Sequence, residues 1–402
     1  MMGKKQLLAL FVCSLVPWTV GNGLLPLLPV YAIQLGADPA VAGYYLAFSY
    51  FALAVGAIAA GWLSDKFNRR KVPLIVAGLL GIPLAWMMGR VGNIWSLSLL
   101  TAVLWASGGL GLALVGILAG LSAGENERGK IFGILSITSS LGALIGGLST
   151  GYIVDRWDFQ SLFSTVAVFL ILSPLAGLFL EEKEMKPVQG KDGLTKKKMN
   201  LGKDYHLLFS ASLVASITGF AILLGRSLLM NEMEFGALAI SGTGAVGGIV
   251  AMPIPFLMGW LSDRTGRKIY LYLGYLACAA SISVLAISTS LWNFFVVLIL
   301  QSLFIGINMT VGNALVTDLL PQESLGRGLS LFAATSWIGG VLGFSGAGYV
   351  LQSFGMIPTI VIGIGLALIA IVLLIPIRSE KKEHGTISRT GASSSEDKLL
   401  EQ

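Results

Sequence analysis

Twelve times this sequence returns to an apolar run of roughly twenty residues or more, enough at about 1.5 Å per residue to cross a hydrocarbon layer about 30 Å thick. Such a chain has few structural options. In lipid the backbone must satisfy its own hydrogen bonds, and a helix does so within one segment. The first run covers 7–31, and the others lie near 40–63, 72–89, 95–122, 130–153, 161–180, 206–229, 237–262, 269–288, 292–319, 327–351 and 356–377. The expected fold is therefore an all-α membrane protein with twelve transmembrane helices. The first run is too long for the apolar core of a signal peptide and has no small-residue cleavage site, so it reads as an uncleaved span. Its far end holds Gly21, Asn22, Gly23, Pro26 and Pro29. A kink or an unwound turn is expected there, because each proline removes a helix hydrogen bond.

Charge sets the topology. Hydrophobic residues make up 55% of the chain and charged residues 12%, about half the charged share of a soluble domain. The net charge of +6 does not point to nucleic acid, because the basic residues are confined to short segments between the spans. With both termini cytoplasmic, 24 of the 27 lysines and arginines fall on the cytoplasmic side, leaving Arg90, Arg156 and Arg226, as the positive-inside rule requires. Cys13 and Cys278 lie inside apolar runs, and His206 and His384 have no ligand-like neighbours. No disulfide, metal, cofactor or catalytic constellation is expected.

The segment 181–205, with Lys196, Lys197 and Lys198, is the longest internal polar stretch. It reads as a cytoplasmic linker between an N-terminal six-helix bundle, 1–180, and a C-terminal one, 206–377. The polar tail 378–402 is expected to be disordered.

One string occurs twice. Gly61, Trp62, Leu63, Ser64, Asp65 and Lys66, with Arg69, Arg70 and Lys71 following, return 198 residues later as Gly259, Trp260, Leu261, Ser262, Asp263 and Arg264, with Gly266, Arg267 and Lys268. A copy at about half the chain length marks one half as a structural repeat of the other. These loops resemble the loop motif of the major facilitator superfamily, which lies between its second and third helices and again between its eighth and ninth. Gly61, Asp65, Lys66, Arg69 and Arg70 match in the first copy, and Gly259, Asp263, Arg264, Gly266, Arg267 and Lys268 in the second. Asn68 stands where the family has glycine.

The resemblance covers nearly the whole chain. It implies a twelve-helix secondary transporter of a bacterial or archaeal, drug- or metabolite-exporter-like type, a monomer in the cell membrane with a small-molecule substrate. It further implies that Asp65 meets the helix start near Gly326, Arg327 and Gly328, and that Asp263 meets the one near Arg128, Gly129 and Lys130. A carboxylate there gains about 0.3–1 kcal/mol from the helix dipole when exposed. Both contacts would hold the cytoplasmic side shut in an outward-facing state. Asp318, at the inner end of the tenth run, is placed at the same gate.

Other family signals are partial. Gly142 to Gly147 resembles the fifth-helix signature of antiporters, with Ala143 in place of its proline, and tight helix packing explains the same small residues. Leu104 and Trp105 stand where proton-coupled exporters carry an arginine. No Asp or Glu lies near the middle of any run. A proton remains a candidate coupling ion, beside a facilitator without one.

By the same resemblance, the first, fourth, seventh and tenth helices line a central cavity. Its polar and aromatic candidates are Trp18, Asn22, Trp105, Arg226, Gln301, Asn308 and Asn313, with Trp337 as a further wall. Gln301 and Asn308, seven apart, share a helix face. Each is equally explained by helix–helix hydrogen bonding or packing. Together they describe a nearly uncharged site for a lipophilic or neutral solute. Arg226 is the exception. A central guanidinium costs about 2.5–3.5 kcal/mol on insertion scales. It either binds an anionic group, pairs with Glu232, or snorkels to the headgroups. Export of a lipophilic drug-like compound or metabolite is the leading expectation. Uptake or exchange of a small organic anion through Arg226, or a non-transporting receptor on the same fold, are the alternatives.

Overall fold

Proline and glycine decide where the helices of this protein start, break and stop. In a computed structural model, residues 3–67, 69–123, 127–182 and 201–377 are described, and their regular structure is entirely helical. Twelve helices are long and apolar enough to cross a membrane. We number them α1 (Lys4–Leu24), α2 (Pro39–Ser64), α3 (Lys71–Met88), α4 (Ile94–Ser122), α5 (Gly129–Arg156) and α6 (Phe159–Leu178). The second six are α7 (Lys203–Glu232), α8 (Ala237–Thr265), α9 (Arg267–Ala286), α10 (Leu291–Leu319), α11 (Ser324–Phe354) and α12 (Met356–Leu374). All twelve expected spans are present, with ends shifted by a few residues. The linker core, 183–200, and the tail from 378 lie outside the described residues.

The expected break after α1 is present. The helix stops at Leu24, a tight turn passes Pro26, and a two-turn helix resumes over Leu28–Gln34. The same logic divides α6 at Ile171, where Pro174 cannot donate to the Leu170 carbonyl, and α8 at Met252, where Pro253 and Pro255 interrupt the ladder. α10 widens into a π-turn at Asn308–Gly312. Short polar side chains cap helix starts on the face away from the repeated loops, here the far face. Val41 N–H donates to Asp38 Oδ1 (2.8 Å), Ser96 N–H to Asn93 Oδ1 (2.8 Å) and Ser161 N–H to Asp158 Oδ1 (2.6 Å). These bonds satisfy donors that the first turn leaves free. Hydrogen bonding from Ser161, its backbone N–H foremost, lowers the Asp158 pKa below the ordinary carboxylate value.

The packing repeats with the sequence. α1 packs on α5, α2 on α4, and α3 on α4 and α6; α7 packs on α11, α8 on α10, and α9 on α10 and α12. Each contact among the first six helices thus recurs six helices later. A buried hydroxyl pair marks the relation inside each half: Ser14 and Thr138 share a hydrogen bond of 2.7 Å between α1 and α5, and Ser212 and Thr335 one of 2.9 Å between α7 and α11. The halves meet chiefly through two helix pairs, α2 with α11 and α5 with α8.

The periphery is apolar and ringed by tryptophan. Trp62 and Trp260 are exposed near the loop-bearing face, and Trp95, Trp157 and Trp292 near the far face. These are the two levels at which aromatic side chains settle in a bilayer. Lengths divide the helices again: α3, α6, α9 and α12 have 18 to 20 residues, whereas α2, α4, α5, α7, α8, α10 and α11 have 26 to 31.

Candidate functional site: two faces and the space between them

On the far face the two halves touch at backbone distance. A Cβ on Gly43 of α2 would lie 2.4 Å from the Phe344 carbonyl oxygen and 2.9 Å from Gly348 Cα on α11. A Cβ on Gly151 of α5 would lie 2.5 Å from the Ala237 carbonyl oxygen on α8. Only glycine permits such an approach. Ser241 Oγ fastens the second crossing by donating to the Gly147 carbonyl at 2.6 Å. The contact continues inward to about mid-helix, where Gly248 meets Ala143 and Gly340 meets the Tyr50 ring. Towards the loop-bearing face it ends: a Cβ on Gly129, Gly133 or Gly326 would meet no atom within 4 Å. The bundles are closed on the far face and diverge towards the loops.

A carboxylate seals the closed face. Asp155, in the last turn of α5, accepts from the first two amides of α8: Ala237 N–H to Oδ1 at 2.7 Å and Leu238 N–H to Oδ2 at 2.9 Å. It serves as a helix cap supplied by the opposite half. Asp155→Ala is expected to weaken far-face closure by the value of an exposed cap, about 0.5–2 kcal/mol. Asp155→Asn, which keeps one acceptor, should lose less. Cysteine reactivity at position 237 should rise accordingly, and unchanged reactivity would show that the cap does not bear on closure. Sequence reasoning missed Asp155 because its partner lies 82 residues away on the other half.

The repeated loops use their basic residues inside each half. Lys66 Nζ lies 4.5 Å from the Trp62 ring centre, and Arg264 Cζ 3.9 Å from that of Trp260, so the two copies share a cation–π pair one helical turn long. Lys71 Nζ donates to the Leu178 carbonyl at the end of α6, and Lys268 Nζ to the Ile375 carbonyl at the end of α12, both at 2.7 Å and both across 107 residues. The structure thus pairs Lys71 with Lys268, whereas the sequence alignment pairs Arg70 with Lys268. The second turn is one residue shorter and is closed by Gly266 at φ +105°. Arg70 Nε donates to Ser64 Oγ at 2.8 Å, and Arg70 N–H donates to Glu182. Arg267 pairs with Asp263 at 2.8 Å and with Asp318, which brings the expected gate residue Asp318 to this loop. Arg69 and Arg264 are exposed, and Gly61 and Gly259 make no backbone approach to another helix. Asp263 is engaged within its own loop, and the Asp65 side chain lies outside the described residues. Among the described residues Asp263 makes no hydrogen bond or ion pair to Gly129 or Lys130 of the opposite half.

Between the faces, the candidate residues separate into two groups. Trp18 packs on Gly142, Asn22 Nδ2 donates to the Ser139 carbonyl at 3.1 Å, and Trp105 covers Gly21 at 3.1 Å from its Cβ position. The Trp105 indole N–H is buried without a partner among the described residues. Trp105 also lines a cavity with Pro17, Leu104, Ser107 and Gly108. Trp337 is half-buried, and Asn313, also half-buried, donates only to the Met309 carbonyl of its own helix.

Gln301 and Asn308 share a face, as their spacing predicts, but that face points into the C-terminal half. Gln301 Nε2 donates to the Gly219 carbonyl at 2.7 Å. Asn308 accepts from the Tyr275 hydroxyl and donates to Ser212, each at 3.0 Å. With Thr335 these residues form a buried polar junction of α7, α9, α10 and α11, in which Gln301 and Asn308 tie helices of one half together. A serine recurring as Ser14 and Ser212 at the motif's own offset was the signal for it.

Arg226 answers neither of its bland expectations. It is 2% exposed, so it does not snorkel. Glu232 and Glu234 are exposed, and no ion pair to Arg226 forms among the described residues. Its Nε and Nη1 groups are buried with no hydrogen-bond partner among the described residues.

A family model described as Major Facilitator Superfamily matches residues 8–289 and 207–398. The chain belongs to that superfamily, and it is a multi-pass membrane protein. Among its relatives is the multidrug resistance protein MdtG of Klebsiella pneumoniae (strain 342), 29% identical over 259 residues, 61% of this chain. That match spans 62% of the relative's own length. The fold is similar to that of the nucleoside transporter NupG, with a TM-score of 0.77 at 13% identity, covering 92% of this chain and 99% of that one. It is also similar to a bacterial homolog of the human lysosomal transporter Spinster, solved in an inward-facing and occupied conformation, with a TM-score of 0.73 at 13% identity over 92% and 95%.

Proposed function

We propose that this protein is a secondary transporter that exports small lipophilic organic compounds by alternating access, and that the conformation described is its inward-facing one. The observation that carries this reading is the divergence of the bundles: glycine-mediated contact on the far face, open space around Gly129, Gly133 and Gly326 on the other. The basic residues of both loops put the open face on the cytoplasmic side. A transporter of this architecture binds its solute near the midplane, between the bundles. We assign Trp18, Asn22, Trp105, Asn313 and Trp337 to that site, and their aromatic surface and few charges suit a lipophilic solute. The multidrug resistance proteins among its relatives support export. Among the described residues each Asp or Glu of a span stands within a turn or so of a helix end, so a proton, if it is the coupling ion, would be handled at the rims and not at the midplane. In the outward-facing state Asp65 and Asp263 would cap helix starts of the opposite half, as the superfamily resemblance implies.

Reconstitution into liposomes tests the reading. Vesicles preloaded with an unlabelled lipophile should take up the labelled compound faster than empty ones. Binding of such a compound without any counterflow would instead support a receptor on this fold.

A further inference from the structure

Arg226 carries an inference about the cargo that rests on the transporter reading. It stands on α7, six residues before the helix ends at Glu232. Seven residues, or two turns, separate it from Gly219, so the two share the α7 face that meets Phe304 and Gln301 of α10. Around it the described residues of the second half supply no anion. Asp204, Asp263 and Asp318 lie at the loop-bearing ends of their helices, while Glu232 and Glu234 are exposed beyond the end of α7. Asp155, an acid of the first half on that face, is occupied by the α8 amides. A guanidinium so buried, with Nε and Nη1 unpartnered among the described residues, is a costly arrangement. Intramembrane charges of this kind mark substrate sites.

We propose that Arg226 receives a single negative charge on the cargo, so that the preferred solute is a lipophilic monoanion: an apolar body bearing one carboxylate or sulfonate. Planar guanidinium donors fit such a group. The charge also couples binding to conformation. Arg226 is buried in the far-closed conformation, and an anion at its side removes the penalty of that burial. The anion therefore binds the far-closed state more tightly than a far-open one and shifts the population towards it. A neutral compound of the same shape has no such preference.

The test compares 1-naphthoate with 1-naphthamide, matched in shape, on the purified full-length protein in chloride-free buffer. Naphthoate is expected to raise the Tm by at least about 2 °C near saturation and to slow cysteine labelling at position 237 on the far face. Naphthamide should do neither, and Arg226→Gln should abolish both effects while Arg226→Lys retains part of them. Equal responses to the two compounds in the native protein, which need no variant, would overturn the proposal. So would an undiminished naphthoate response in folded Arg226→Gln. A chloride titration that reproduces the naphthoate response would make Arg226 an inorganic-anion site and remove the claim about cargo. Counterflow separates this inference from the one beneath it. Flux of lipophilic cations with no naphthoate effect refutes the anion site alone, and a naphthoate effect with no flux of any compound refutes the transporter reading alone.

Discussion

Replacing Gly43 by leucine is expected to hold the protein open on the face that is closed here, and to abolish transport. The new Cβ would stand 2.4 Å from the Phe344 oxygen and 2.9 Å from Gly348 Cα. Both are backbone atoms, so no side-chain rotation can clear them, and α2 and α11 must separate. Overpacking of this kind costs about 1–3 kcal/mol or more, which moves a two-state balance by about 5–150-fold. The cost falls on the far-closed state alone, because the crossing does not exist when that face is open. Spin labels at positions 95 and 292, at the far-face ends of α4 and α10, read the change directly. The distance between them should lengthen in the variant. An unchanged distribution would mean that the α2–α11 crossing does not control closure.

Asn308→Leu is expected to produce the largest loss of stability without altering the balance between the faces. The substitution removes a group that joins α9 to α7 through Tyr275 and Ser212, and it leaves the Tyr275 hydroxyl buried without that partner. Interhelical hydrogen bonds in membranes average about 0.6 kcal/mol and reach about 1.7. Two such bonds, with a stranded hydroxyl, give about 1–3 kcal/mol. Melting should shift down by several degrees while the distance between positions 95 and 292 stays as in the native protein. Asn313→Leu is the control, since Asn313 bonds only within its own helix. Equal losses in the two variants would mean that the junction does not tie the helices together.

The twelve helices were legible because hydropathy over a spanning length is a local property, and so is the proline break at Pro26. The repeat was legible because both loops keep their residue types. What escaped was whatever depends on a partner far along the chain. The spacing of Gln301 and Asn308 predicted one shared face, but periodicity says nothing of what stands opposite, and here it is Gly219, Ser212 and Tyr275 instead of open space. Lys71 and Lys268 read as topology signals because their acceptors are backbone carbonyls, which have no sequence signature. Asp155 was overlooked for the same reason, since its partners are two amides of another helix. Arg226 marks the opposite case. The sequence flagged it as exceptional, and the structure shows it buried and, among the described residues, not paired with Glu232.

The unequal helix lengths bear on the membrane as well as on the protein. At about 1.5 Å per residue, the short helices α3, α6, α9 and α12 reach about 27–30 Å, the thickness of the hydrocarbon layer, while the longer helices project beyond it. Hydrophobic matching therefore rests on four struts, two in each half. A bilayer a few Å thicker strains those struts first, and tilt is among the ways such mismatch is relieved. Because each pair is rigidly packed to its own half, lipid thickness acts on the angle between the halves. The acyl chains around this protein are in that sense a mechanical input to its conformational equilibrium.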